Sequence, residues 1–213
     1  MSNKYCNSLT KYTRHKTRIV HIGDIPIGGD NPIRVQSMTT TNTLNIKATI
    51  DQSIKIFDAG SDYVRITAPS IKEAKALRDI RNGLIKKGYK KPLIADIHFT
   101  PNAAIEAAKI VEKVRINPGN YADKKKFLSF EYTDEEYKSE LDRIYGRFSP
   151  LVKVCKENGT AMRIGVNHGS LSDRIMNRYG DTPYGMVESA LEFIRICQDH
   201  NFHDIVLSMK SSN

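Results

Sequence analysis

Tryptophan is missing from this 213-residue chain, and cysteine is scarce. The three cysteines, Cys6, Cys155 and Cys197, lie far apart and form no CxxC pair. Their odd number and wide spacing exclude a disulfide framework and a self-contained zinc site, and point to a reducing, cytoplasmic compartment. No apolar run approaches the ~20 residues that span a bilayer. The N-terminus MSNKYCNSLTKYTRHKTR is basic but lacks the apolar core of a secretory signal. Neither GxGxxG nor GxxxxGK[ST] occurs, so a nucleotide-binding loop is not indicated. Aromatic residues do not interleave with the basic clusters, which leaves no stacking platform for a single-stranded nucleic acid.

Acidic residues are in deficit as well: 24 Asp and Glu stand against 33 Lys and Arg, for a formal net charge of +9. Such a balance suits nucleic acid, acidic partners or phosphorylated ligands. The lysines, however, are scattered. Lys86, Lys87, Lys90 and Lys91 form one cluster and Lys124 to Lys126 another. Both sit in connections, where charge runs are ordinarily solvated surface. With 39% hydrophobic residues, the chain has enough apolar material to bury the core of one large domain or two small ones.

What is present is a repeated alternation of strand and helix patterns. Residues 18–22 and 25–27 read as a hairpin, followed by a first strand at 33–38. Ile50, Ile54 and Phe57 fall at helical spacing within a helix from about Ile46 to Ala59, ended by Gly60. A strand follows at 62–67. Ser70 then caps a helix that runs to about Lys87 and stops at Gly88. Strands at 93–97 and 113–117 flank a helix from Pro101 to about Val111.

The crossover from 121 to 160 is longer. Thr133 and Glu136 make a capping box, and Tyr137, Leu141, Ile144, Phe148 and Leu151 continue at helical spacing. Pro150 is expected to kink that helix or divide it in two. A strand at 161–166, a short helix capped by Ser172, a helix opened by Pro183 and a strand at 204–209 complete the pattern. Repeated β–α units predict a parallel sheet with right-handed crossovers. The fold class expected is α/β, a TIM-type (β/α)8 barrel cut short after about six β/α units, with an N-terminal β-hairpin. An eight-stranded barrel needs about 250 residues. The expectation is therefore a natural polypeptide that continues past Asn213, the alternative being an open sheet. Residues 1–17 read as an N-terminal extension and 18–213 as the partial barrel.

Five strand patterns end in a basic or phosphate-friendly side chain: DYVRITAPS with Arg65, LIADIHF with His98, KVRINPGNY with Arg115, AMRIGVNHGS with Arg163 and DIVLSMKSSN with Lys210. In a parallel barrel the carboxyl ends of the strands share one mouth. Three Arg, one Lys and one His there suit a phosphate or diphosphate, because a guanidinium makes planar, bidentate, charge-assisted bonds to its oxygens. Like charges ~6 Å apart repel by about 3 kcal/mol at an effective dielectric near 20. The cluster therefore calls for an anion or a carboxylate. Asp96 could hold His98 in one tautomer or act as acid or base, although an ion pair with Arg65 or Arg115 is the plainer option. His98 could donate a proton or serve structurally. Asn117, before Pro118-Gly119, suits a turn as well as a ligand, and Asn167 could also donate to oxygen. Gly169-Ser170 and the small residues from Ser208 to Ser212 suit phosphate but are common in loops.

The run TRIVHIGDIPIGGDNPIRVQSMTTT, followed in order by VRIT, ADIHF, VRINPGN, RIGVNHGSL and SMKSS, resembles the 4-hydroxy-3-methylbut-2-enyl diphosphate synthases of the GcpE type. The resemblance runs from about Thr17 to the last residue. It implies an oxidoreductase of the methylerythritol phosphate route to isoprenoids, which reductively opens 2-C-methyl-D-erythritol 2,4-cyclodiphosphate. It implies a TIM barrel that binds the diphosphate through Arg65, His98, Arg115, Arg163, Ser208 and Lys210, with Asp96, Asn117 and Asn167 in support. It further implies a separate C-terminal domain with a [4Fe-4S] cluster, fed by ferredoxin or flavodoxin, and a homodimer at full length. The long crossover, with HGSLSDRIMNRYGDTPYGMVESALEF, resembles the long form of some bacteria and plant plastids, which has an extra domain between barrel and cluster domain. None of the three cysteines matches a cluster-ligand pattern, so the cluster domain is expected to be absent from these 213 residues and the chain alone inactive. Neither nucleic acid nor membrane is an expected partner. The alternatives are another phosphate- or pterin-binding barrel enzyme, a nucleic-acid module suggested by the charge, or a remnant that binds the cyclodiphosphate without turnover.

Overall fold

The computed structural model describes residues 8–121 and 132–211. Cys6, the cluster from Lys124 to Lys126, its charged and aromatic surroundings up to residue 131, and Ser212 lie outside the described residues.

Two short strands, β1 (Val20–Ile22) and β2 (Ile25–Ile27), pair antiparallel as the expected hairpin. Six further strands follow: β3 (Gln36–Met38), β4 (Tyr63–Thr67), β5 (Leu93–Asp96), β6 (Lys113–Ile116), β7 (Ala161–Asn167) and β8 (Ile205–Lys210). They lie side by side in chain order and every pairing is parallel. The sheet curls as a half-barrel. Seven helices complete the fold: α1 (Ile46–Asp58), α2 (Ile71–Lys86), α3 (Pro101–Ala108), α4 (Pro118–Tyr121), α5 (Asp134–Asn158), α6 (Asp173–Tyr179) and α7 (Pro183–Asp199).

The two faces of the sheet have different partners. Val64, Ile66, Ala95, Val114, Ile116, Met162, Ile164 and Val166 point outward and join the helices in one large core. Leu77, Ile80 and Leu84 come to it from α2, the small residues Ala103, Ala104 and Ala107 from α3, and Ile144, Phe148, Leu151 and Val152 from α5. β5 is covered on both sides, with its apolar residues Leu93, Ile94 and Ala95 and the charged Asp96 all buried. The inward face carries a second, smaller cluster. Val20 and Ile22 of the hairpin pack on Tyr63, Ile94 and Ala161 near the amino ends of β4, β5 and β7. The hairpin is thus a floor for the half-barrel, and the opposite end is left for polar groups.

Local signals place the helix ends. The side chains of Asn45, Ser70, Thr133, Ser172 and Thr182 each accept a bond from a first-turn backbone N–H. Thr133 and Glu136 form the reciprocal capping box, and Gly159 ends the same helix at φ +64°, in the left-handed region that glycine enters without strain. Pro150 does not divide the crossover: α5 is one helix of 25 residues with the proline inside it. A proline ring crowds the carbonyl four residues back. Here that residue is Gly146, and both Gly146 and Pro150 are exposed, so the crowded carbonyl lies on the solvent side of the helix while Phe148, Leu151 and Val152 stay buried. The segment Pro118–Tyr121, which reads as a turn, forms one helical turn on the carbonyl of Asn117.

Candidate functional site

Side chains alternate along a strand, so residues two apart share a face. Val64, Ile66, Val114, Ile116, Met162 and Ile164 are committed to the outer core, and this turns Arg65, Arg115 and Arg163 inward. The register sets these groups side by side: Asp96 stands opposite Thr67 and Arg115, Arg115 opposite Arg163, and Asn167 opposite Lys210.

Asp96 is the hub. Its Oδ2 accepts from Arg65 Nη2 at 2.7 Å and lies 3.4 Å from His98 Nε2, and its Oδ1 accepts from Arg115 Nη1 at 3.3 Å. The side chain is only 2% exposed. Burial pushes this carboxyl up, but the charge and hydrogen bond of Arg65, then Arg115 and His98, outweigh it and hold it below the usual carboxylate range. Arg115 also donates through Nη2 to the carbonyl of Gly165 at 3.2 Å. A Cβ on Gly165 would stand 2.7 Å from Arg115 Nε, so the missing side chain makes room for the guanidinium. Arg163 donates to Ser208 Oγ at 2.7 Å.

Cations outnumber carboxylates at this mouth. Arg65, Arg115, Arg163 and Lys210 share Asp96, and no other carboxylate among the described residues pairs with any of them. Burial and then the neighbouring Arg65 and Arg115 make Arg163 less basic than usual. Burial followed by the pull of Arg115, Arg163 and Arg65 does the same to Lys210, against a smaller opposite effect of Asp96. The Nε atoms of Arg65 and Arg163 are buried with no hydrogen-bond partner. Such a site carries uncompensated positive charge and has the chemistry to accept an anion.

The structure brings Arg65, Asp96, His98, Arg115, Arg163 and Ser208 into direct contact or adjoining register. Lys210 and Asn167 stand together at the upper rim; among the described residues neither side chain makes a hydrogen bond to another side chain, while the Asn167 carbonyl accepts from Ser170 Oγ at 3.0 Å. Asn117 is drawn aside: it is 2% exposed, donates to Ser170 Oγ at 2.8 Å, and ties the β6–α4 turn to the 3₁₀ turn His168–Ser170. Its Oδ1 is buried and unpartnered. Two residues of the inner face go unnoticed in the strand-end pattern. Gly165 is one, although a glycine inside a strand marks close approach of another group. Lys113 is the other: buried at the start of β6, it places its ammonium 5.0 Å above the centre of the Tyr63 ring.

Cys155 and Cys197 are buried free thiols in the outer core, with their ionisation pushed up by burial, that of Cys197 to about 12. They do not fit an iron–sulfur cluster, which needs exposed or metal-paired thiolates. No group of three or more His, Cys, Asp and Glu suited to a metal ion occurs among the described residues, and no described helix is long and apolar enough to cross a membrane.

Residues 17–213 match the GcpE TIM-barrel domain family. The chain is 55% identical over its whole length to 4-hydroxy-3-methylbut-2-en-1-yl diphosphate synthase (flavodoxin) of Protochlamydia amoebophila, of which it covers 33%. It is 57% identical over 95% of its length to the enzyme of the same name from Parabacteroides distasonis, again covering 33% of that protein. Against the chloroplastic, ferredoxin-type synthase of Oryza sativa subsp. japonica it is 53% identical over 99% of its length, covering 28%. The chain thus spans about a third of these relatives. Among solved structures, a truncated 3-deoxy-D-arabino-heptulosonate 7-phosphate synthase from Thermotoga maritima overlays 90% of this chain and 56% of its own, with a TM-score of 0.54 at 11% identity. That likeness speaks to the barrel-type fold alone.

Proposed function

The chain belongs to the GcpE TIM-barrel family, and from that membership we propose that it is the substrate-binding barrel of a 4-hydroxy-3-methylbut-2-enyl diphosphate synthase. In that role its mouth holds the diphosphate of 2-C-methyl-D-erythritol 2,4-cyclodiphosphate during reductive ring opening. The observation that carries the proposal is the excess of inward cations around a carboxylate whose two oxygens are both engaged.

The division of labour follows from the geometry. Arg163 and Lys210 make no ion pair with Asp96, which offsets their charge only weakly, so they bind the diphosphate most strongly. Arg65 and Arg115 are aimed by Asp96 and contribute the donors it leaves unused. Ser208 fixes the Arg163 head. His98, partly exposed beside Asp96, is placed to hydrogen-bond a phosphate oxygen or to deliver a proton to the departing oxygen. A [4Fe-4S] cluster elsewhere in the full-length protein, reduced by ferredoxin or flavodoxin, would supply the electrons. No described residue of this chain fits as its ligand. The barrel therefore positions the anion and, by itself, turns nothing over. The full-length protein in this proposal is a cytoplasmic homodimer.

Titration with the cyclodiphosphate tests the assignment. Arg163→Ala is expected to weaken binding by about 2–4 kcal/mol, the worth of one or two charge-assisted contacts, with the fold retained. Unchanged affinity in folded protein would remove Arg163 from the site. Failure of the parent chain to bind any diphosphate would remove the mouth as a substrate site.

A further inference from the structure

The inner face holds a titratable group that the anion site does not absorb. Lys113 opens β6 two residues before Arg115, on the same face and one layer nearer the floor. It is 3% exposed. Its register neighbours are Ile94 on β5 and Ala161 on β7, and both belong to the small apolar cluster that Val20 and Ile22 close from below. Lysine is among the residues least often buried without a partner.

Every surrounding group bears on its charge. From β4, the Tyr63 ring faces the ammonium at 5.0 Å, and Arg65 stands above. From β5, Asp96 is the nearest inward carboxylate, but Arg65, Arg115 and His98 already hold it. From β7, Arg163 repels it, and β8 adds only Val206 to this layer. Arg115 shares its own strand. The hairpin brings apolar side chains only, while Arg34 and Asp62 act on Tyr63 from the floor. No carboxylate among the described residues forms an ion pair with Lys113. Burial, then Arg163 and Arg65, push its ionisation down to about 7.

We propose that Lys113 is a positioning residue of the mouth, losing its proton above neutral pH while the site is empty and holding it when a diphosphate fills the site, so that anion binding there takes up a proton at the barrel floor. The proposal rests on the mouth being the diphosphate site. The physical cause is reciprocal. An anion between Arg65, Arg115 and Arg163 cancels the field that opposes a fourth cation beneath them, and that cation in turn favours the anion. The cation–π face of Tyr63 holds the charged form in place once it appears.

Isothermal titration of inorganic pyrophosphate into the full chain, in two buffers of different ionisation enthalpy, counts the protons taken up. The counts are compared among the parent, Lys113→Met and Lys113→Arg, each verified as folded by circular dichroism. At pH 8 the parent is expected to take up about one more proton per bound pyrophosphate than either variant, a difference that vanishes near pH 6. Lys113→Arg, permanently charged, should keep the affinity at pH 8 that Lys113→Met loses. Equal proton counts in parent and variants, with pyrophosphate bound, overturn the coupling and leave the anion site standing. Absence of pyrophosphate binding in the parent at every pH overturns both.

Discussion

Adding one methyl group at Gly165 should disable the mouth while leaving the fold intact. The Cβ of Gly165→Ala would stand 2.7 Å from Arg115 Nε, 3.2 Å from Nη2 and 3.4 Å from Cζ. These atoms belong to the end of a flexible side chain, so the guanidinium gives way and the strand does not. Gly165 is not in the left-handed region, and alanine fits its backbone. Loss of the 3.2 Å bond from Arg115 to the Gly165 carbonyl costs about 1 kcal/mol. Replacing glycine within a strand returns about 0.5–1 kcal/mol. Once the displaced 3.3 Å pair of Arg115 with Asp96 is counted as well, thermal stability should fall by about 1–3 kcal/mol. The anion loses more, because Arg115 moves off both Asp96 and the mouth. One charge-assisted contact is worth about 1.5–3 kcal/mol, so pyrophosphate should bind about 10- to 100-fold more weakly. Titration calorimetry at fixed ionic strength, beside a thermal melt, measures both quantities. Unchanged affinity in Gly165→Ala would refute the placement of Arg115 in the anion site. A collapse of stability would refute the claim that only a side-chain end is displaced.

Asp96→Asn should destabilise the protein near pH 7 by on the order of 3 kcal/mol, because Arg65 and Arg115 lose a buried carboxylate. Since the folded carboxyl is held below its ordinary range, its contribution is complete above about pH 4 and lost as pH falls through the folded value. The parent's denaturation midpoint should thus approach that of the variant in acid, and parallel pH profiles would contradict it. Gly119→Ala should cost about 1–3 kcal/mol or more in chemical denaturation, because its Cβ would lie 1.8 Å from the Ser170 carbonyl oxygen, a backbone atom that cannot swing aside. An unaffected midpoint there would mean that the β6–α4 turn and the 3₁₀ turn are not in fixed contact.

The inward arginines were legible because β4, β6 and β7 carry β-branched or large apolar residues at every alternate position, and period two then leaves one direction for the charge. The helices were legible from their caps: Ser70, Thr133 and Thr182 stand where the patterns begin. Whether Pro150 divides the helix depends on which side of it the proline faces, and sequence spacing does not reveal that this side is exposed. The turn Pro118–Tyr121 escapes notice because four residues carry too little propensity to outweigh a Pro-Gly pair. Lys113 goes unseen because a lysine at a strand start is ordinarily solvated. Only the hairpin that folds under the half-barrel, contributed from some ninety residues earlier in the chain, makes that position dry.

The hairpin floor also decides traffic. With Val20 and Ile22 seated on Tyr63, Ile94 and Ala161, the amino end of the half-barrel is closed by apolar side chains. In the proposed role the charged rim, opposite that floor, is where a diphosphate binds, and a reactant and a product that share this group would compete for it. In that role, tight holding by Arg65, Arg115 and Arg163 would slow release of a product diphosphate, which would compete with the next substrate.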